Sequence, residues 1–106
     1  MKINNWQETL QVISDYEAIA KWTLKNGYGY YWMLVPNNDE IQENGFSETV
    51  KSPLHFDDLE SIEIHKHHEH GHPDKEHYIE SIQKAISLTT NLQVSNENEI
   101  LRIKST

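Results

Sequence analysis

The segment that decides the fold is YGYYWMLV, which runs from Tyr28 to Val35. It places apolar or aromatic side chains at both odd and even positions. Successive side chains of a β-strand point to opposite faces of the sheet, so a strand that is apolar at both sets of positions is typical of one covered on both sides. The segment therefore predicts a central strand, and the polar residues from Pro36 to Asp39 predict the turn that ends it.

The residues before this segment predict a helix. Asn5 and Ser14 are each followed three residues later by a glutamate, which is the capping-box spacing found where helices begin. The apolar residues that follow recur at helical spacing. They predict either one bent helix from Asn5 to Asn26 or a short helix that meets a second one at Ser14. In both cases Gly27 ends the helix, because glycine readily adopts the left-handed conformation of a helix terminus.

The residues after the segment predict short strands and a second helix. Asn44-Gly45 is a two-residue hairpin signal, which predicts strands at residues 40–43 and 46–50. The remaining predicted elements are a half-buried strand at residues 59–65, a helix from Pro73 to about Leu88, and a closing hairpin of residues 92–94 and 100–103 around a turn at residues 95–98. The sequence thus predicts a single α+β domain over residues 1–106. An N-terminal helix or helix pair and one later helix pack on a mostly antiparallel sheet of about five strands.

The composition excludes several classes of protein. The 106 residues contain no cysteine, so disulfide scaffolds, thiolate zinc sites and cysteine nucleophiles are ruled out. With 9 basic and 17 acidic residues, the chain lacks the basic surface that binding to phosphates requires, so we expect no direct binding of nucleic acid. The N-terminus shows no signal-peptide pattern and no apolar run is long enough to span a bilayer. We therefore expect a cytoplasmic protein without membrane contact.

No arrangement of residues indicates catalysis. The nucleophile-elbow pattern G-x-S-x-G and the phosphate-binding glycine loops are both absent from the sequence. Histidine and carboxylate residues occur close together, but seven histidines and 17 acidic residues make such pairs common by chance. The sequence predicts a protein that is not an enzyme.

Nearly all of the negative charge lies in one segment. Residues 39–63 contain eight acidic residues and one lysine, and they therefore carry −7 of the net charge of −8. Apolar residues are interspersed with these acids, as in an interface where charged rims surround apolar anchors. The predicted partner-binding residues are Asp39, Glu40, Glu43, Glu48, Phe56, Asp57, Asp58, Glu60 and Glu63.

This charge pattern predicts a protein that binds a basic partner. A negative surface attracts basic proteins and raises the rate at which they associate. A small, acidic, cysteine-free domain without catalytic residues has the physical profile of an inhibitor or immunity-type protein. The sequence therefore predicts a protein that blocks a basic partner, such as a nuclease-type toxin, by steric and electrostatic means.

A second hypothesis comes from the histidines, six of which lie between residues 65 and 77. If residues 63–67 are extended, His65 and His67 share one face, and His70 or His72 could fold back to complete a metal site. Imidazole ligands suit Zn²⁺, Ni²⁺ and Cu²⁺. The alternative function is thus a transition-metal-binding or metal-sensing module that uses His65, His67, His70 and His72. The composition fits a solvated polar loop with no cofactor, a set of local hydrogen bonds or a contact surface better than a specific metal site.

Overall fold

A computed structural model of the chain describes residues 4–25, 30–46, 54–68 and 75–106, apart from the side chains of Tyr31, His68, Lys75 and Glu76. Helices α1 (Trp6–Ser14) and α2 (Ile79–Ser87) pack on a five-stranded sheet in which every neighbouring pair is antiparallel. The predicted α+β class is confirmed. Across the sheet, the strands lie in the order β2 (Tyr30–Leu34), β1 (Ile19–Leu24), β5 (Leu59–His65), β9 (Ile100–Lys104) and β8 (Gln93–Glu97).

Two short ribbons and two 3-10 turns extend from the sheet. One ribbon pairs β3 (Gly45–Phe46) with β4 (Leu54–His55), and the other pairs β6 (His67–His68) with β7 (Lys75–Glu76). The 3-10 turns span Asn38–Glu40 and Phe56–Asp58. None of the described helices is long and apolar enough to cross a membrane.

The core lies between the helices and one face of the sheet. Both helices bury residues at helical spacing, for example Leu10 and Ile13 from α1 and Ile82 and Ile86 from α2. Spacing of three or four residues keeps these side chains on one side of each helix. The sheet contributes alternate residues of its three middle strands: Ala20, Trp22, Ile62, Ile64, Leu101 and Ile103. Both helices and these strand residues belong to a single core cluster.

The prediction that residues 28–35 form a central strand is wrong, because β2 is an edge strand of the sheet. Tyr30 is 59% exposed and Leu34 is 50% exposed, whereas Val35 is buried. An apolar sequence of this kind does not distinguish a central strand from an edge strand, since local sequence cannot show which strands pair on either side. Residues 26–29, including Gly27, lie outside the described residues.

The N-terminal helix is shorter than the longer of the two predictions, and no second helix begins at Ser14. Helix α1 ends at Ser14, and Glu17 adopts a left-handed backbone conformation with φ of 51°. The chain then enters β1, which pairs with both β2 and β5. Burial alternates along this strand, with Ala20 and Trp22 facing the core. Pairing on two sides outweighs the helical spacing of the same apolar residues.

The predictions for residues 40–50 and for the start of the second helix are also wrong in part. Residues 38–40 form a 3-10 turn in place of a strand at 40–43, and Gly45–Phe46 pairs with Leu54–His55. Residues 47–50 lie outside the described residues. Helix α2 begins at Ile79, six residues after the predicted start, because residues 75–76 form a strand; it ends at Ser87, close to the prediction.

The strand at 59–65 and the closing hairpin are confirmed. In β5, Ile62 and Ile64 are buried while the residues between and after them are half-buried. The hairpin of β8 and β9 turns at Asn98-Glu99, both with positive φ, rather than at residues 95–98. A two-residue turn with positive φ at both positions suits the twist of antiparallel strands.

The second face of the sheet has no described helix over it. In register across this face lie Trp32 of β2, Lys21 of β1, Glu63 of β5 and Arg102 of β9. The Lys21 ammonium lies 4.0 Å from the centre of the Tyr30 ring, and Arg102 donates a hydrogen bond of 3.2 Å to Glu63. This open face is therefore a mixed aromatic and charged surface, and it carries side chains that the helices do not cover.

Candidate protein-binding surface

The 3-10 turn that follows β4 presents two of the predicted acidic residues. Phe56 is buried, and its ring centre lies 6.3 Å from that of Phe46, so the turn is anchored to the core. Asp57, the next residue, is exposed, and Asp58 is half-buried. The carbonyl oxygen of Asp58 accepts a hydrogen bond of 2.8 Å from the backbone amide of Lys25. The position of both aspartates is thus set by the core and by the end of β1.

The loop before β3 places a third acidic residue beside this turn. The backbone amide of Phe56 donates a hydrogen bond of 2.9 Å to the carbonyl oxygen of Asn44. Gly45 has φ of +151°, and a Cβ atom there would overlap the Leu54 carbonyl oxygen, so only glycine permits this close approach. Glu43, directly before Asn44, is exposed. The two loops are therefore joined by backbone contacts rather than by their charged side chains.

These two loops line a groove of about 590 Å³. We call it the acidic groove and define it by its lining residues, which are Asn4, Glu43, Asn44, His55, Phe56, Asp57 and Asp58. The described part of its lining contains three carboxylates and no lysine or arginine. Carboxylates accept hydrogen bonds from guanidinium and ammonium groups, so the groove can receive a basic side chain. It contains four of the nine predicted partner-binding residues.

The other predicted acidic residues lie elsewhere. Asp39 and Glu40 are exposed on the first 3-10 turn, which contacts α1. Glu60 is half-buried in β5. Glu63 lies on the open face of the sheet, where its carboxylate is only 13% exposed and binds Arg102. Glu48 lies outside the described residues. The structure therefore brings together only part of the predicted set.

Phe56 is buried, so it does not project from the surface as an apolar contact for a partner. Its side chain is 8% exposed and belongs to the core cluster. Trp22 and Phe46 continue the same aromatic group, with ring centres 5.3 Å apart in an edge-to-face arrangement. An aromatic residue at this depth contributes mainly to folding stability. Phe56 thus supports the groove from below and offers little surface to a partner.

Two of the four candidate metal ligands are described, and they do not share an extended strand. Strand β5 ends at His65, Lys66 forms a bend, and β6 begins at His67. The Nε2 atom of His65 lies 3.3 Å from a Glu63 carboxylate oxygen, and its ring packs edge-on against Trp32 at 5.0 Å. His67 is exposed.

His70 and His72 lie outside the described residues. Within the described ranges no group of three or more histidine, aspartate or glutamate side chains is arranged to hold a metal ion. The observed pair of His65 and Glu63 is a contact of the open face. The metal-site hypothesis remains a prediction from the sequence.

His77 differs from the other described members of the histidine cluster, because it is only 3% exposed. Its Nε2 atom accepts a hydrogen bond of 3.3 Å from the backbone amide of Ile19, the first residue of β1. Its own backbone amide donates to the carbonyl oxygen of Lys66 at 2.8 Å. The sequence gives no sign of this role, since His77 follows a polar run and is separated from Ile19 by 58 residues. Only the tertiary structure distinguishes it from the other histidines.

A scan against protein-family models and searches of curated proteins and of solved structures find no match to this chain. The fold and the groove themselves define the class: an α+β domain with two helices on one face of an antiparallel sheet and an acidic groove formed by two loops.

Proposed function

We propose that this protein binds a basic protein partner through the acidic groove and blocks it, as an inhibitor or immunity-type protein does. The observation that carries the proposal is the convergence of Glu43, Asp57 and Asp58 on one groove, which no lysine or arginine among the described residues lines. A nuclease-type toxin is a suitable partner, because a protein that binds phosphates presents a basic surface.

Electrostatics would act first on the rate of association. With a net charge of −8, the protein attracts a basic partner from beyond contact distance. Exposed carboxylates such as those of Glu43 and Asp57 lie where salt screens them, so their effect on association should fall as ionic strength rises. The binding rate is therefore the property most sensitive to these two residues.

The backbone contacts between the two loops would favour tight binding. The hydrogen bond from Phe56 to Asn44 and the buried Phe56 ring hold the groove in one shape before the partner arrives. A surface that is already ordered loses less conformational entropy on binding. Asn4, Asn44 and His55 add polar groups that can bond to a partner around the carboxylates.

The experiment compares two double variants that change the net charge equally. Glu43→Lys with Asp57→Lys reverses two exposed groove residues, and Asp15→Lys with Glu97→Lys reverses two exposed residues elsewhere. Immobilised wild-type protein is used to capture proteins from a lysate of the native host at low and high salt. The captured basic protein is then purified, and its association rate with each variant and its inhibition are measured.

We expect the groove variant to associate at least tenfold more slowly and with a weaker salt dependence, while the control variant stays within about threefold of wild type. The captured protein should also lose its own activity when the wild-type domain is added. Capture of only acidic proteins would contradict the proposal, as would a basic partner whose binding responds equally to both double variants.

A further inference from the structure

The position of His77 determines which of its ring nitrogens carries a proton. A backbone amide can only donate a hydrogen bond, so the Nε2 atom that faces the Ile19 amide must be the acceptor. A neutral imidazole has one protonated and one unprotonated nitrogen, and its proton must here be on Nδ1. A second proton would have to be added at Nε2, which is the atom already facing a donor.

His77 takes the place of a strand partner at the start of β1. Strand β1 pairs with β5 from Lys21 onward, so the amide of Ile19 lies beyond the recorded pairing of these two strands. At this position the imidazole ring of His77, and not a carbonyl of β5, supplies the acceptor for the Ile19 amide. The bond is part-buried, and an amide left there without an acceptor is unfavourable, so this contact stabilises the strand end.

The same residue also joins several other parts of the fold. Its backbone amide binds the Lys66 carbonyl, and the Lys66 amide in turn binds the Glu99 carbonyl at 2.9 Å in the turn between β8 and β9. Two residues after His77, helix α2 begins at Ile79. The ring of His77 thus contacts the start of β1, while its backbone is linked through Lys66 to the bend after β5 and to the β8–β9 turn.

We propose that the hydrogen bond between His77 and Ile19 is an acid-sensitive contact that holds the start of α2 against the sheet. Protonation of Nε2 removes the acceptor for the Ile19 amide and places two donors opposite each other. It also places a positive charge on a ring that is 3% exposed. The folded protein therefore binds this proton less readily than the unfolded chain does.

Several charged and titratable groups among the described residues lie around His77. Lys66 from the bend after β5, Tyr78 and Glu80 from the start of α2, and Glu99 from the β8–β9 turn line a pocket of about 450 Å³ together with His77. Lys66 lies 3.7 Å from the Glu99 carboxylate, so these two charges partly offset each other. Glu17, two residues before Ile19, is exposed. None of these groups replaces the acceptor that the Ile19 amide loses.

The sign of the effect follows from proton linkage. An unfolded histidine titrates near pH ~6.5, so below that pH the unfolded chain takes up a proton that the folded state resists. Stability contributed by His77 is therefore fully present above about pH 6.5 and is lost as the pH falls. While the folded ring stays unprotonated, each pH unit lowers the folding equilibrium constant by up to about tenfold.

The test compares two single variants with wild type. In His77→Gln the side-chain oxygen can reach the place of Nε2 and accept from Ile19, but it does not titrate. His67→Gln removes an exposed histidine and serves as the matched control. The free energy of unfolding is measured by urea denaturation at pH 7.5, 6.5 and 5.5. Differences between variants remove the contribution of the other histidines, which also gain charge in this range.

Between pH 6.5 and 5.5, the folding equilibrium constants of wild type and His67→Gln should fall by up to about fivefold more than that of His77→Gln, because an unfolded histidine is already half protonated at pH 6.5. If His77→Gln folds too weakly to compare, NMR of the wild-type ring nitrogens decides. An unprotonated Nε2 at pH 7.5, and a titration midpoint of His77 below that of His67, would support an acid-sensitive contact between His77 and Ile19. Equal pH dependence in all three proteins, a proton on Nε2 at pH 7.5, or equal midpoints would overturn it.

Discussion

At the scale of single residues, Glu99 is held in a conformation that suits glycine better. Its φ is 63°, and it forms the β8–β9 turn together with Asn98 at 54°. The left-handed region costs an ordinary L-residue roughly 1–2 kcal/mol, whereas glycine adopts it freely. The strain is tolerated because the strands on either side are paired over five residues.

We expect Glu99→Gly to stabilise the protein by about 0.5–1 kcal/mol. Relief of the left-handed strain outweighs the greater freedom of glycine in the unfolded chain and the loss of the exposed contact with Lys66. Thermal or urea denaturation measures the change. Glu97→Gly is the matched control and should be destabilising, because residue 97 lies in β8. A loss of stability in Glu99→Gly as large as in the control would contradict this explanation.

Phe56 allows a second prediction at this scale. Because the ring is 8% exposed and packs in the aromatic group with Phe46, Phe56→Ala should lower the free energy of unfolding by about 3 kcal/mol. Asp57→Ala, at the neighbouring exposed position, should change it by less than about 0.5 kcal/mol. Urea denaturation of both variants tests this. A Phe56→Ala protein as stable as wild type would show that the ring is not part of the core.

At the scale of elements, β1 shows how pairing overrides local pattern. Its apolar residues fit helical spacing, and the same residues also alternate between core and surface once the chain is extended. Strand β1 has a partner on each side, β2 and β5, and its Trp22 side chain donates a hydrogen bond of 3.0 Å to the Met33 carbonyl of β2. The paired residues are 7 to 42 positions apart in the chain, so no short window of sequence contains both partner strands of β1.

The histidine segment gives the prediction that belongs to this scale. If the segment binds a transition metal, untagged protein should retain about one equivalent after gel filtration, and replacing His65, His67, His70 and His72 by alanine should remove it. The His65 ring lies 5.0 Å from the Trp32 ring, so Cu²⁺ bound at His65 should quench the fluorescence of this tryptophan. Elemental analysis and a fluorescence titration measure both effects.

A matched control for the metal experiment is His55→Ala, which removes an exposed histidine on β4, outside the cluster. It should leave both the retained metal and the quenching unchanged. Protein that retains no metal, or the same loss of quenching in the control, would exclude a specific site. The stability should also rise with bound metal in wild type and in His55→Ala but not in the quadruple alanine variant, since a ligand that binds the folded state stabilises it.

At the scale of the whole molecule, the open face of the sheet and the acidic groove carry different charges. Three cations, Lys21, Arg102 and Lys104, lie on β1 and β9 at positions whose register places them on the open face of the sheet. Among the described residues, the lining of the acidic groove has three carboxylates and neither lysine nor arginine. Under the proposed function, a basic partner would be attracted towards the groove more than towards these cations, although both surfaces belong to one small domain.

The sequence by itself determined the fold class, the strand at residues 59–65, the closing hairpin and the segment that holds the excess negative charge. These properties follow from composition, from local alternation and from turn residues, which act between near neighbours in the chain. Only the tertiary structure decided that residues 30–34 form an edge strand, that β1 is not a helix, that Phe56 belongs to the core, and that His77 binds Ile19. Each of these depends on a partner distant in sequence, because burial and hydrogen bonding are set by what packs against a residue and not by the residues beside it.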